Sequence, residues 1–419
     1  MMKLVMDSLG CSVVRRTGKF KVSLLSGAIA GLMAVPQISQ AQDGFTINLG
    51  GRLHVDYATA DADNADFDLS ATALRRGRIK ASGNYGSNLK YKIEFNTNSS
   101  GDVNLEDAYI EWKPEGSIFS FKAGQFKTQN SLEEANSSLD TAIIERAALT
   151  DAFELNRRAG LEVATKSDNY LVQLGVFGSN LEVIEQNGNE GIAIAGRGVY
   201  KFDLSNDNLI HVGGSFRYRD QNDGQNLRYR QRPFVENTGR IISTGRIADS
   251  DTFYGAELAG LFGKAWFAAE YTLVNANCAD GVTVCTDDPS FNGWSIGGGY
   301  FFGGKRNYSV GKFKRPTIDN PVTDGGWGAL SVNARFDQID LNDEGIEGGD
   351  LDTFAVGVNW WLHKNARIQF NYFNSDAGLS GPNVGPSLGL EPVFAQAVND
   401  ATLNDDNVSG FITRLQFDF

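Results

Sequence analysis

Phe411-Ile412-Thr413-Arg414-Leu415-Gln416-Phe417-Asp418-Phe419 alternates bulky and mostly polar side chains up to its last residue. Successive side chains of an extended strand point to opposite faces. Phe411, Leu415, Phe417 and Phe419 therefore share one face, and Arg414, Gln416 and Asp418 the other. A strand that is apolar on one side and charged on the other fits a wall with lipid outside and water inside, as in a transmembrane β-barrel. Such a barrel needs many similar strands and an export signal.

The amino-terminus reads as that signal. Arg15, Arg16, Lys19 and Lys21 precede the apolar stretch from Val22 to Val35, and Ser39-Gln40-Ala41 then offers small residues for cleavage before Gln42. This divides the chain into a signal peptide, 1–41, and a barrel, 42–419. No later run of apolar residues is long enough for a membrane-spanning helix. The aromatic carboxy-terminus resembles the signal read by the outer-membrane assembly machinery of Gram-negative bacteria. Forty-eight Gly against nine Pro, with 27 Phe and 13 Tyr, suits many strands, tight turns and aromatic girdles. Without residues 1–41, 38 basic and 51 acidic residues become 33 and 50, a balance of −17 rather than −13. That acidity argues against nucleic acid as a partner.

Sixteen stretches alternate with period two. The first, Phe45 to Tyr57, sets Phe45, Ile47, Leu49, Leu53, Val55 and Tyr57 against Thr46, Asn48, Arg52, His54 and Asp56. The others lie near 73–85, 88–97, 104–112, 118–126, 158–165, 169–178, 190–201, 208–218, 251–262, 264–274, 293–302, 328–337, 351–362, 366–374 and 408–419. Their connections alternate between tight turns such as Gly86-Ser87 and Lys364-Asn365 and long segments such as 127–157, 219–250, 275–292 and 375–407. An even strand count then puts both termini and the tight turns in the periplasm. The connection 303–327 breaks the rule by being long on the short side. A soluble β-sandwich would carry polar residues where these strands carry Phe, Leu and Val. The expected fold is a 16-stranded antiparallel transmembrane β-barrel with a loop folded into its lumen.

The inward faces carry the functional signal. On the second strand Arg76, Arg78, Lys80 and Ser82 alternate with Ala73, Gly77, Ile79, Ala81 and Tyr85, and Arg75 alone breaks the pattern. The third strand repeats the device, with Lys90, Lys92, Glu94 and Asn96 inside, and Arg52 on the first strand continues the patch. Arg158, Arg197, Arg217 and Arg335 also fall on polar faces. Cations two residues apart on a strand stand about 6.6–6.8 Å from one another. They form a row between which an anion can step, and guanidinium matches phosphate or carboxylate oxygens with a planar fork of donors. The competing reading is ordinary charged lining of a water-filled barrel.

Residues 127–157 lose the alternation. Leu132, Ala135, Leu139, Ile143, Ala147 and Ala148 recur at helical spacing. A part-apolar segment of this length is expected inside the barrel, narrowing it. Its acids Glu133, Glu134, Asp140 and Glu145, with Arg146 beside them, either set up a field across the pore or brace the loop against the wall.

Several strings, in order along the chain, resemble the phosphate-selective porin O and P family. They are Arg75-Arg76-Gly77-Arg78, Asp107-Ala108-Tyr109, Gly124-Gln125-Phe126-Lys127 with Ser137-Ser138 and Glu145-Arg146, Gly304-Lys305-Arg306-Asn307-Tyr308, Gly326-Trp327-Gly328-Ala329-Leu330, and Arg335-Phe336-Asp337-Gln338-Ile339-Asp340-Leu341. The resemblance implies a barrel of sixteen strands, usually trimeric, in which an arginine ladder and a loop lysine bind phosphate or polyphosphate. Arg75, Arg76 and Arg78 match the basic run, and Lys127 the lysine of the Gly-Gln-Phe-Lys motif. That motif often continues with Pro, where this chain has Thr128-Gln129-Asn130.

Cys278 and Cys285, in an external loop of an exported chain, are expected to form a disulfide rather than a metal site with Asp280, Asp287 and Asp288, since no His accompanies them. His211 and Ser215, two inward steps apart, are the nearest approach to a nucleophile and base. The sequence thus reads as a passive outer-membrane porin, without cofactor, metal or catalytic residues, in contact with lipid and lipopolysaccharide and passing phosphate or other small anions. A general diffusion porin is the second reading and an outer-membrane hydrolase the third.

Overall fold

Each alternating stretch is a strand in the computed structural model, which describes residues 44–182, 191–205, 207–221, 227–379 and 405–419. The expected signal peptide, 1–41, lies outside the described residues. The barrel strands are β1 (Asn48–Ala62), β2 (Asp68–Tyr85), β3 (Leu89–Thr97), β4 (Val103–Trp112), β5 (Phe119–Lys127), β6 (Arg157–Lys166), β7 (Tyr170–Phe177), β8 (Ile192–Asp203), β9 (Leu209–Asp220), β12 (Ala248–Phe262), β13 (Ala265–Cys278), β14 (Ser290–Phe302), β17 (Ala329–Asp343), β18 (Ile346–His363), β19 (Ala366–Gly378) and β20 (Asp405–Asp418). These sixteen pair in chain order into a closed barrel, and the connection after β9 carries a separate two-stranded pair, β10 (Arg230–Gln231) and β11 (Ile242–Ser243). β20 returns to β1 antiparallel, with Arg52 opposite Asp418 and Ala62 opposite Val408.

The two faces separate as alternation requires. Phe411, Leu415, Phe417 and Phe419 are exposed, while Ile412, Arg414, Gln416 and Asp418 are buried. Exposed rings gather near the tight turns, Trp112 against Phe121, Tyr200 against Phe202 and Tyr300 against Phe302. That is an aromatic girdle at one membrane interface.

The strands differ from the sequence reading in three ways. First, β17 and β18 run beyond the expected 328–337 and 351–362, through the acidic stretch Asp340 to Asp350, and turn at Glu344 and Gly345, both with positive φ (45° and 80°). Two successive residues of that kind form the tight hairpin turn that matches strand twist. Second, the long periplasmic connection is itself structured, with β15 (Gly304–Ser309) and β16 (Lys312–Ile318) forming a two-stranded hairpin. Third, β2 carries a bulge. His54 pairs with Arg76 but Val55 with Leu74, so Arg75 is the extra residue. A bulge re-aims side chains. It turns Arg75 inward and places Ala73, opposite Asp56, on the lumen side rather than facing lipid.

Much of the lumen is solid. Ile143, Ile144, Leu149 and Phe153 of the segment after β5 pack with Tyr229, Phe234, Ile241 and Ile242 of the β9–β12 connection. Inward-facing Ile339, Leu341, Leu351, Phe373, Val408 and Ile412 of the wall complete this cluster. These strands reverse the polarity of a water-lined wall because loops, not water, cover their inner faces.

Cys278 and Cys285 are bonded at the end of β13. Closing so short a loop removes about 2–3 kcal/mol of entropy from the unfolded chain. Reduction is expected to speed proteolysis of this external loop and to leave single-channel conductance unchanged, which gel analysis after limited digestion and bilayer recording would check.

Candidate functional site

The segment between β5 and β6 contains two short helices, α1 (Leu132–Ala135) and α2 (Ala148–Phe153). Ser131 caps α1 by accepting from Glu134 N–H. The first amides of α1, Leu132 and Glu133, donate to both carboxylate oxygens of Glu270 on β13 at 3.0 and 2.8 Å. An anion at a helix amino-terminus satisfies amides that the helix itself leaves unpaired. α2 is held likewise, Ala148 N–H donating to Asp337 of β17 at 2.8 Å. Between the helices Arg367 donates to Thr141 O at 2.7 Å, Arg414 to Ile144 O at 3.0 Å, and Gln416 to Leu139 O at 3.2 Å. The loop is thereby fastened to β13, β17, β19 and β20.

The periplasmic hairpin meets it from below. Phe313 N–H donates to Asn136 Oδ1 at 2.8 Å, and Arg306 and Arg315 reach Asp140. Arg306 stacks between Trp266 and Phe313, and its burial lowers its guanidinium to about 9.

What stays open is a cavity of about 640 Å³ between the loop and the wall of β2–β6. Among the described residues ten cationic side chains and seven carboxylates line it, an excess of three positive charges in an acidic chain. Arg75, Arg76, Arg78 and Lys127 are brought together here. Arg75 grips Glu145 with two bonds of 3.1 Å and meets Glu236 at 3.0 Å. Arg78 is held by Glu94 at 3.0 Å, Glu106 at 2.7 Å and Asn96 at 3.2 Å. Lys127 has looser partners, Glu134 at 3.6 Å and Glu154 at 3.8 Å. Arg76 has no hydrogen bond or ion pair to any described residue.

The other four cations expected on β1–β3 lie apart from the cavity lining, whereas Arg158 and Arg335 join it. Arg52 donates to Ser138 at 2.9 Å and supports the loop. Lys92 is paired with Glu94 and Asp107, while Lys90, 63 % exposed near the β2–β3 turn, meets Glu111 at 3.8 Å. Lys80 follows Arg78 on β2, opposite Glu94.

The loop acids brace. Glu133 accepts from Ala147 N–H, Thr150 and Arg335. Glu145 joins Arg75 to Arg414, and Asp140 joins the hairpin. Arg146 donates to Asn136 O, and its side chain faces the cavity.

Alternation within the β9–β12 connection supplies residues that the sequence reading passed over, Arg228, Arg230 and Arg232, with Arg240 and Arg246 beyond them. Arg232 and Arg240 line the cavity around Asp151. Burial, then repulsion from Arg228 and the other three, lowers Arg230 to about 10. The Arg-x-Arg-x-Arg spacing was the available signal. On the hairpin, burial and the nearby Lys314 and Lys166 lower Lys312 to about 8. Of the wall arginines, Arg197 is locked to Glu257 and Arg217 to Asp251. His211 bonds Tyr308 at 2.6 Å and Glu257 at 3.0 Å, whereas Ser215 donates to Asn130 O. They are not paired as base and nucleophile.

A closed barrel, apolar outside and with a charged lumen cavity, defines an outer-membrane channel. The chain belongs to the phosphate-selective porin O and P family, which matches residues 47–397. It is 29 % identical over 352 residues to an uncharacterised protein of Caulobacter vibrioides, covering 80 % of this chain and 69 % of that one. Porin O of Pseudomonas aeruginosa is 24 % identical over 423 residues, covering 91 % and 90 %. Among solved structures, an anion-selective porin from Comamonas acidovorans aligns with a TM-score of 0.57 at 12 % identity, over 90 % of this chain and 100 % of that one.

Proposed function

We propose that this porin conducts anions by preference, with inorganic phosphate or polyphosphate foremost. The observation that carries the reading is Arg76, a guanidinium facing the cavity without a hydrogen-bond or ion-pair partner among the described residues, where cations outnumber carboxylates. The loop arginines 228, 230 and 232 lead toward it from outside, and Lys80, Lys90, Lys92, Lys312 and Lys314 continue a positive path toward the periplasm. Selectivity follows charge at the narrow place, where low-dielectric walls focus the field, and external acids are screened within about 8–10 Å. Cleavage of residues 1–41 before insertion, and assembly as a homotrimer in lipid and lipopolysaccharide, belong to the same proposal. In a KCl gradient across a bilayer the reversal potential is expected to have the sign of chloride selectivity, and added phosphate is expected to block chloride current. Cation selectivity would defeat the reading. Anion selectivity without phosphate block would favour the general diffusion porin, toward which the many internally paired cations point.

A further inference from the structure

Six of the seven cavity carboxylates meet a guanidinium or a backbone N–H: Glu106 with Arg78, Glu145 with Arg75, Asp151 with Arg240, Glu182 with Leu105 N–H, Glu236 with Arg75, and Asp337 with Ala148 N–H. Glu154 is different. Its side chain, 21 % exposed, accepts no hydrogen bond from any described residue, and its one ion-pair contact is Lys127 Nζ at 3.8 Å. Among the described residues the cavity thus holds a cation without an acceptor, Arg76, and a carboxylate without a hydrogen-bond donor, Glu154.

A ligand that answers such a carboxylate inside a basic cavity is an anion that also carries a proton. We propose that Glu154 is the specificity-determining carboxylate of the lumen, accepting a hydrogen bond from the P–OH of hydrogen phosphate while Lys127 and Arg146, the cations beside it, take its charged oxygens. Sulfate offers the same shape and charge but no such proton. It leaves Glu154 unsatisfied and facing a second negative charge, so the carboxylate favours phosphate by repelling its mimic as well as by binding phosphate. This inference rests on the anion reading above.

The groups facing Glu154 are Lys127 from the end of β5, Glu134 of α1, Asp151 of α2 and Arg146 of the loop between the helices. Burial, helped by Glu134 and Asp151 and opposed by Lys127 and Arg146, raises the Glu154 carboxyl to about 7. It is mainly ionised, and so an acceptor, at about pH 8. At that pH hydrogen phosphate and sulfate carry equal charge and differ by one proton.

The test is block of chloride current through the purified, bilayer-reconstituted full-length barrel at about pH 8 by phosphate, by arsenate and by sulfate. Wild type is compared with Glu154→Ala and the nearly isosteric Glu154→Gln. Wild type is expected to bind phosphate and arsenate more tightly than sulfate. Glu154→Ala is expected to lower that preference about ten-fold, one charge-assisted hydrogen bond in size, and Glu154→Gln, which keeps a neutral acceptor, to lower it less. Glu154 has no hydrogen bond with any described residue to lose, so both variants should keep the heat-modifiable barrel. If phosphate and sulfate block strengthen equally in both variants, Glu154 acts by charge alone and the inference falls while the anion reading stands. If neither oxyanion blocks the wild type, the two fall together.

Discussion

Replacing Arg76 by Gln is expected to weaken phosphate block of chloride current about ten- to a hundred-fold, the size of losing hydrogen bonds to a charged group. Thermal stability should be unchanged, because no described residue loses a partner. Arg78→Gln divides its effect the other way. Arg78 sits one inward step below Arg76 but is bound to Glu94, Glu106 and Asn96. Glu94 is buried but keeps Lys92 at 3.2 Å and Arg52 at 3.7 Å, and Glu106 keeps Arg157, so each carboxylate loses one of several cations, about 1–3 kcal/mol. That variant should unfold more readily while retaining more of the phosphate block. Thermal melts and titrated bilayer currents on both proteins separate the roles, and equal loss of block would mean that the whole row acts as one field.

Arg414→Ala is expected to carry the largest structural effect. This guanidinium is fully buried and holds Asp56 through two bonds of 2.7 Å, Glu145 at 2.8 Å and Ile144 O at 3.0 Å. Its removal leaves two carboxylates short of a cation, about 3–5 kcal/mol, and unfastens the constriction loop at its middle. Conductance should rise and larger solutes should pass. The pH dependence has a definite sign. Burial alone would raise Glu145, but Arg75 and Arg414 hold it well below the usual carboxylate range. A carboxyl depressed in the folded state contributes stability that is present above its unfolded value, about 4.3, and lost as pH falls toward the folded one. The wild-type loop should therefore stay fastened at pH 4. In Arg414→Ala the Glu145 pKa rises and release should begin at less acid pH. A wild-type conductance that jumps between pH 6 and pH 5 would count against Glu145 as the fastener.

Alternation made the barrel legible because lipid and lumen impose opposite polarity on successive residues. It carried all sixteen strands, the tight turns and the terminal strand, and it placed the cysteine pair in a connection between strands. Features that depend on pairing between segments stayed hidden. Arg75 looked like an outward misfit because a bulge is visible only once His54 is set against Arg76 and Val55 against Leu74. The strand through Asp340–Asp350 was hidden by its acids, which suggest solvent, although Ile339, Leu341 and Leu351 pack inward under the loops. Cations could be assigned to the lumen from sequence, but not which of them is free. Arg76 and Arg78 are equivalent by spacing, and only the carboxylates arriving from β3 and β4 distinguish them.

The periplasmic hairpin has a bearing on the order of assembly. Arg315 reaches Asp140 in the constriction loop, the Lys364 carbonyl at the β18–β19 turn and both oxygens of Asp418, the penultimate residue. Its seat does not exist until the last strand has closed on the first. A barrel short of its last strand lacks Asp418, so the hairpin can hold all three partners only after β20 has joined β19, and completion of this contact marks a late step of assembly.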